Sequence, residues 1–285
     1  MDKYTRHDFG QNFLADPHLI AAVQRLVRTE TAGPILELGA GDGALTRPLA
    51  RLGRPLTALE IDPRRARRLS LRLRADDAHE ATKVDVVCAD ILRYRFPGTP
   101  HTVVGNIPFH LTTAIIRKLL AERAWTCAVL IVQWEVARRR AGVGGASMLT
   151  ASWWPWYDFR LARRIPAASF RPVPSVDAGL MTMHRREAPL VSERVDYQNF
   201  VKAVFQSPGR DLAQMILHTG RVRRSDLHAW LRRNRIPPRA LPKDLTAEHW
   251  AELWRLRGLS PTSVSPPLPR RRYPTERRHH GSAGA

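Results

Sequence analysis

Three kinds of residue in this chain have types and spacing suited to chemistry on a base. The first is Asn106-Ile107-Pro108-Phe109, which follows the β-branched run Val103-Val104-Gly105 and leads into Leu111-Thr112-Thr113-Ala114-Ile115-Ile116. That pattern predicts a buried strand, a stiff turn and the start of a helix. The turn presents an amide, a Pro108 carbonyl expected to be free of helix bonding, and an aromatic face. An aromatic ring can stack on an extruded base while the amide and carbonyl oxygens accept its exocyclic N–H groups. The plainer alternative is an ordinary strand-to-helix turn with Asn106 as N-cap and Pro in the first turn.

The second kind is a glycine turn, Glu37-Leu38-Gly39-Ala40-Gly41-Asp42-Gly43, after the short apolar strand Pro34-Ile35-Leu36. Alternate glycines let the backbone turn tightly and let a ligand approach its amides. The spacing is G-x-G-x-G rather than the pyrophosphate-cradling G-x-G-x-x-G. Glu37 beside it suits a cofactor with a cationic amino-acid portion. The third kind is a pair of strand-end carboxylates. Leu56-Thr57-Ala58-Leu59-Glu60-Ile61 ends on Glu60, placed to hold the two hydroxyls of a ribose, and Asp62-Pro63 reads as a helix cap. Val84 to Leu92 is expected to be a third strand ending in Asp90-Ile91, where Asp90 can accept the exocyclic amine of a cofactor adenine.

The elements that must position these groups alternate between strand and helix, which predicts an α/β fold with the sites at the carboxyl ends of the strands. Asp16-Pro17 starts a helix whose apolar face is Leu19, Ala22, Val23, Leu26 and Val27. The loop Gly10-Gln11-Asn12-Phe13-Leu14 is held just ahead of it. Trp125 to Val132 is a fifth strand and Ala178 to Met183 a last one. Between them, Arg138-Arg139-Arg140 adjoin mobile glycines and suit a nucleic-acid backbone, or a solvated helix end. Trp153, Trp154 and Trp156 read as sheet packing, and Phe170-Arg171-Pro172-Val173-Pro174 as a Pro-stiffened loop. From about Tyr197 the apolar residues recur at helical spacing with arginines between them.

Composition sets the outer bounds. The 285 residues are 44% hydrophobic, with 46 Lys+Arg against 26 Asp+Glu, a net charge of +20. Such an excess favours a polyanionic partner. Residues 181–285 carry 20 Lys+Arg and 9 Asp+Glu, making the C-terminal part the denser cationic region. Cys88 and Cys127 lie in apolar runs and are expected to be buried free thiols in a reducing compartment. With no signal-like N-terminus and no apolar run long enough to span a bilayer, a cytoplasmic protein is expected.

Taken together, Gly10 to Leu14, Glu37 to Gly43, Glu60, Ala89-Asp90-Ile91, Asn106 to Phe109 and Phe170 to Pro174 resemble the ribosomal RNA adenine N6-methyltransferases. The likeness runs from Thr5 to Arg257 and is greatest to the Erm-type macrolide–lincosamide–streptogramin B resistance enzymes. It implies a Rossmann-like S-adenosylmethionine-dependent methyltransferase sheet, with a small C-terminal helical domain. The cofactor-binding domain would span residues 1–186 and a helical RNA-binding domain 187–258. Residues 259–285 would form a basic Pro/Arg-rich tail, expected to be disordered.

The resemblance further implies S-adenosyl-L-methionine as cofactor, contacted by Asn12, Leu14, Gly39, Gly41, Glu60, Ile61, Asp90, Ile91 and Asn106. Asn106, Pro108 and Phe109 would meet a target adenine of 23S rRNA, with Phe170 across the pocket. Neither a metal nor a membrane is expected, and the protein is expected to be a monomer. Two departures stand out: Phe109 replaces the family's common Tyr, and Ser207-Pro208-Gly209-Arg210 follows no family pattern. The competing readings are a small-subunit rRNA dimethyladenosine transferase, a DNA adenine methyltransferase, and a non-catalytic nucleic-acid-binding protein on the same fold.

Overall fold

The computed structural model describes residues 12–75 and 84–257. Gly10, Gln11 and the Pro/Arg-rich tail lie outside the described residues.

The chain begins with β1 (Phe13–Leu14), α1 (Pro17–Glu30), β2 (Ile35–Leu38), α2 (Thr46–Ala50), β3 (Leu56–Glu60), α3 (Pro63–Arg74) and β4 (Val84–Cys88). It continues through β5 (His101–Asn106), α4 (Thr112–Ala121), β6 (Trp125–Gln133), α5 (Trp134–Arg140), α6 (Met148–Trp153), β7 (Tyr157–Ile165), β8 (Phe170–Arg171) and β9 (Ala178–Arg185). Four helices close it: α7 (Arg194–Gln206), α8 (Leu212–His218), α9 (Arg224–Arg233) and α10 (Ala247–Arg257).

Seven strands form one sheet in the order β4-β3-β2-β5-β6-β9-β7. The first five run parallel, while β9 is antiparallel to both β6 and β7. All four residues of β2 are buried, as expected of a parallel strand covered on both faces. The strand order turns back beside β2, between β3 and β5. Ligands in such sheets bind at the carboxyl end of that switch point.

The expected helix starts hold. Asp16 accepts from the amides of His18 and Leu19, with Pro17 at the first turn and Leu19, Val23 and Val27 buried. Asp62 does the same for Arg64 and Arg65, and α3 buries Ala66, Leu69 and Leu73 while its arginines fill the remaining faces.

Several expectations are corrected. β4 stops at Cys88, leaving Asp90 in the following turn. Cys88 is exposed, because β4 is an edge strand; only Cys127 is buried. Three strands were not foreseen: β7, and the pair β1 and β8, whose two-residue ladder sets Phe13 against Arg171 and Leu14 against Phe170. The Trp-rich segment does pack, but mainly onto the C-terminal helices. The Trp156 ring meets Tyr197 edge-on at 5.6 Å, the Tyr197 hydroxyl donates to the Ala151 carbonyl at 2.9 Å, and Gln198 reaches the Ser152 carbonyl. One apolar core therefore runs from the sheet into α7 and α10. Among the described residues, no helix is long and apolar enough to cross a membrane.

Candidate active site

A cavity of about 560 Å³ opens at the carboxyl edge of β2, β3 and β5. Its floor is the glycine turn, where Gly39, Gly41 and Gly43 have φ of +75°, +57° and +90°, a region that side chains with a Cβ rarely enter. The turn is pinned to β3, since the amides of Gly39 and Ala40 both donate to the Leu59 carbonyl.

Glu60 ties the same turn from its side chain. One carboxylate oxygen accepts from the Gly41 amide at 2.7 Å and the other from the Asp62 amide at 2.9 Å. Each oxygen keeps a further acceptor position, since a carboxylate offers about four. Glu60 is buried and lines the cavity.

Glu37 sits deeper. It is 1% exposed, and its Oε2 has no hydrogen-bond partner among the described residues. Burial pushes its carboxyl up to about 7; the Thr46 hydroxyl opposes that rise without satisfying Oε2, and the Glu60 charge adds to it. An orphaned acceptor lining a cavity calls for a donor, and a cation serves best.

Asn106 ends β5 and is no helix cap. The helix ahead starts through a 3-10 turn, Phe109–Leu111, whose own cap is Pro108. The Asn106 Nδ2 donates instead to the Asn12 carbonyl at 2.8 Å. A carbonyl only accepts, so this bond fixes which way the amide faces: its nitrogen is engaged and its oxygen remains an open acceptor. The Pro108 carbonyl differs from expectation. It accepts the Leu111 amide at 2.9 Å, closing the 3-10 turn, and lies 3.5 Å from the Thr112 hydroxyl, so at most one lone pair is open to a ligand. Phe109 is half-buried and forms part of the cavity wall.

Asn12, Leu14, Gly39, Gly41, Glu60, Asn106, Pro108 and Phe109 thus converge on one cavity. Four expected residues do not line it. Phe170 is fully buried, paired with Leu14 and packed in the core beneath, so it cannot offer a face across the pocket. Ile61 is exposed. Asp90 accepts from the Leu92 amide at 2.8 Å, and Arg93 lies 3.8 Å from its other oxygen. Ile91 is buried against the glycine turn from its other flank, 3.9 Å from where a Gly39 Cβ would lie.

Sequence reading missed Phe13, Gln24, Arg47 and Arg51, which also line the cavity. The last three lie on or beside α1 and α2, whose facing sides have no signature beyond amphipathicity. Of the three consecutive arginines, Arg138 pairs with Glu135 and bonds the Val143 carbonyl, and Arg140 bonds Ser147 and Thr150. Only Arg139 extends well into solvent.

A parallel-rich sheet with this switch point, a G-x-G-x-G turn and a strand-end carboxylate bridging to it defines a Rossmann-like methyltransferase that uses S-adenosyl-L-methionine. The sequence matches the ribosomal RNA adenine dimethylase family over residues 3–256. It is 54% identical over 253 residues, 88% of this chain and 78% of the other, to the mycinamicin-resistance protein MyrB of Micromonospora griseorubida. It is 46% identical over 217 residues, 75% of this chain and 83% of the other, to an rRNA adenine N-6-methyltransferase of Corynebacterium diphtheriae. Among solved structures, the 23S rRNA methyltransferase ErmE superimposes with a TM-score of 0.78 at 32% identity, covering 87% of this chain and all of that one. The chain belongs to the ribosomal RNA adenine dimethylase family.

Proposed function

We propose that this protein transfers a methyl group from S-adenosyl-L-methionine to the exocyclic N6 of one adenine in 23S rRNA, conferring macrolide–lincosamide–streptogramin B resistance. The observation that carries this reading is the Asn106 amide, held by Asn12 with its oxygen open in the cavity that Glu60 shares. The relatives' names support the large subunit and the resistance phenotype.

The residues present fit the cofactor. The cavity volume lies within the roughly 300–1,000 Å³ typical of small-molecule sites. Glu37 would receive the cationic amino group, Glu60 the ribose hydroxyls, and the glycine turn the methionine portion. Asp90 and Ile91 would meet the adenine from the other flank of Gly39. What S-adenosylmethionine supplies is a methyl already activated on a sulfonium: as the N6–C bond forms the S–C bond breaks, leaving a thioether, and N6 sheds a proton to solvent.

The chain's own groups prepare the nucleophile. The lone pair of an adenine amine is delocalised into the ring, which makes it weakly nucleophilic. Asn106 Oδ1 accepts one N–H group, and the Pro108 carbonyl, exchanging its long 3.5 Å bond from the Thr112 hydroxyl, accepts the other, which favours the pyramidal form. Phe109 offers a face on which the extruded base stacks. Catalysis here is positioning and electrostatic stabilisation. The base must leave its stack, which suits a looped RNA target.

We assign residues 187–258 to RNA contact on their charge, and infer that the protein works in the cytoplasm as a monomer on the large-subunit RNA. Primer extension across both ribosomal RNAs after incubation with protein and cofactor tests the whole reading. One stop at one adenine of the large-subunit RNA is expected; a stop in the small-subunit RNA alone overturns it.

A further inference from the structure

Asn106 can help the reaction only if its oxygen faces the target amine. Turned over, the amide would present N–H donors to a donor. Among the described residues, the sole partner that selects the productive face is the Asn12 carbonyl. What holds that carbonyl in place is therefore part of the chemistry, and the neighbouring residue does so.

Residues Asn12 to Leu14 form a strap over the glycine turn, and the Phe13 ring lies between the strap's backbone and that turn. Its ring comes within 3.2 Å of where a Gly41 Cβ would sit. The Arg65 guanidinium lies 4.6 Å from the ring centroid, a cation–π contact. Arg65 is in turn held 3.6 Å from Asp42, inside the glycine turn, and 3.6 Å from Asp62, the cap of α3. On its other side the strap is laddered to β8. Phe13 thus ties the backbone that carries the Asn12 carbonyl to the turn that forms the floor of the cofactor cavity.

We propose that Phe13 is a positioning residue that couples the cofactor turn to Asn106, setting the orientation of the target-amine acceptor through the Asn12 carbonyl. The proposal rests on the methyltransfer reading above. Ordering the turn orders the strap, and the strap holds the amide. By linkage the effect runs both ways: a bound target adenine must tighten the cofactor site by the factor that the cofactor tightens the target.

The test measures binding of S-adenosylhomocysteine, the demethylated product, with and without an RNA oligomer carrying the target adenine. Wild-type protein is expected to show positive coupling, in the range of roughly 5- to 150-fold usual for linked sites. Phe13→Ala is expected to bring the coupling factor close to one. It should also lower kcat on the order of 100-fold, the loss that a misplacement of about 1 Å causes, and raise KM for RNA at saturating cofactor by about the coupling factor lost. Phe13→Tyr keeps the ring and should restore these values.

If Phe13→Ala does not fold, as thermal unfolding will show, Phe13→Leu carries the same comparison, keeping bulk and ladder but not the face for Arg65. A variant that weakens product binding equally with and without RNA, leaving the coupling factor at its wild-type value, overturns the proposal, because Phe13 would then only support the turn. Wild-type protein that fails to methylate large-subunit RNA would instead overturn the functional reading.

Discussion

The two ends of the parallel strands are built from the same β2, β3 and β5, yet they spend their polar atoms differently. At the amino ends, Arg54 closes the sheet. Its guanidinium donates to the carbonyls of Gly33, Val27 and Thr31 and to the hydroxyls of Thr31 and Thr102. The Thr102 hydroxyl passes the network on to the Ala32 carbonyl. At the carboxyl ends the last strand residues leave acceptors open: Glu37 Oε2, one face of the Glu60 carboxylate, and the Asn106 oxygen. An edge whose carbonyls and threonine hydroxyls are paired in the manner of the amino ends, His101 Nε2 apart, contributes stability and has little left with which to bind. An edge with orphaned acceptors costs stability and is ready for a ligand.

Substitutions can sharpen or break that contrast. The largest effect is expected at Asn106. Asn106→Ala should reduce methyl transfer by about 10²–10³-fold or more, roughly 3–4 kcal/mol, the scale of losing one charge-stabilising hydrogen bond in an active site. RNA binding should persist. Filter binding and methyl counting on the same preparation check both, and full methylation by this variant would remove Asn106 from the reaction.

Glu37 comes next, and its effect is on stability. Its carboxyl titrates near 4.5 unfolded and about 7 folded, so both states are protonated below 4.5 and no difference arises there. As pH rises from about 4.5 to about 7, the unfolded chain ionises first and the ligand-free protein loses stability. The loss is about 3 kcal/mol at some 1.4 kcal/mol per pKa unit. Glu37→Gln should flatten that part of the difference curve, measured by urea unfolding of both proteins across the window. Parallel curves would mean that the buried carboxyl is no orphan.

Arg54→Met probes the amino-end edge. It should cost roughly 2–3 kcal/mol of stability through unpaired carbonyls, with kcat unchanged at a temperature where the variant is folded. A selective fall in kcat would show that the two edges are not independent. Phe109→Ala should be the mildest, weakening turnover by roughly 1–3 kcal/mol through lost stacking. Phe109→Trp should retain activity, whereas an unaffected Ala variant would take the ring out of the site.

Much of this was legible from local pattern. Alternating strand and helix signals, Asp-Pro starts at 16–17 and 62–63, and the spacing of Gly39, Gly41 and Gly43 each report conditions that a few neighbouring residues settle among themselves. A cap needs its own side chain and the next two amides; a tight turn needs its glycines. The position of Glu60 at a strand end, and hence beside the glycine turn, follows once the strands are parallel neighbours.

What only the tertiary structure decided are the contacts between distant segments. That Asn106 is an acceptor rather than a cap depends on the Asn12 carbonyl, 94 residues away. That Phe170 belongs to the core and Phe13 to the cofactor turn follows from a two-residue ladder too short to leave a periodic signal. The Pro108 carbonyl was bound because a 3-10 turn closed one residue later. Sequence determines which groups are available through local sterics and hydrogen bonding. Which of them stay unpaired is settled only when the whole chain has folded and every other buried donor has taken its partner.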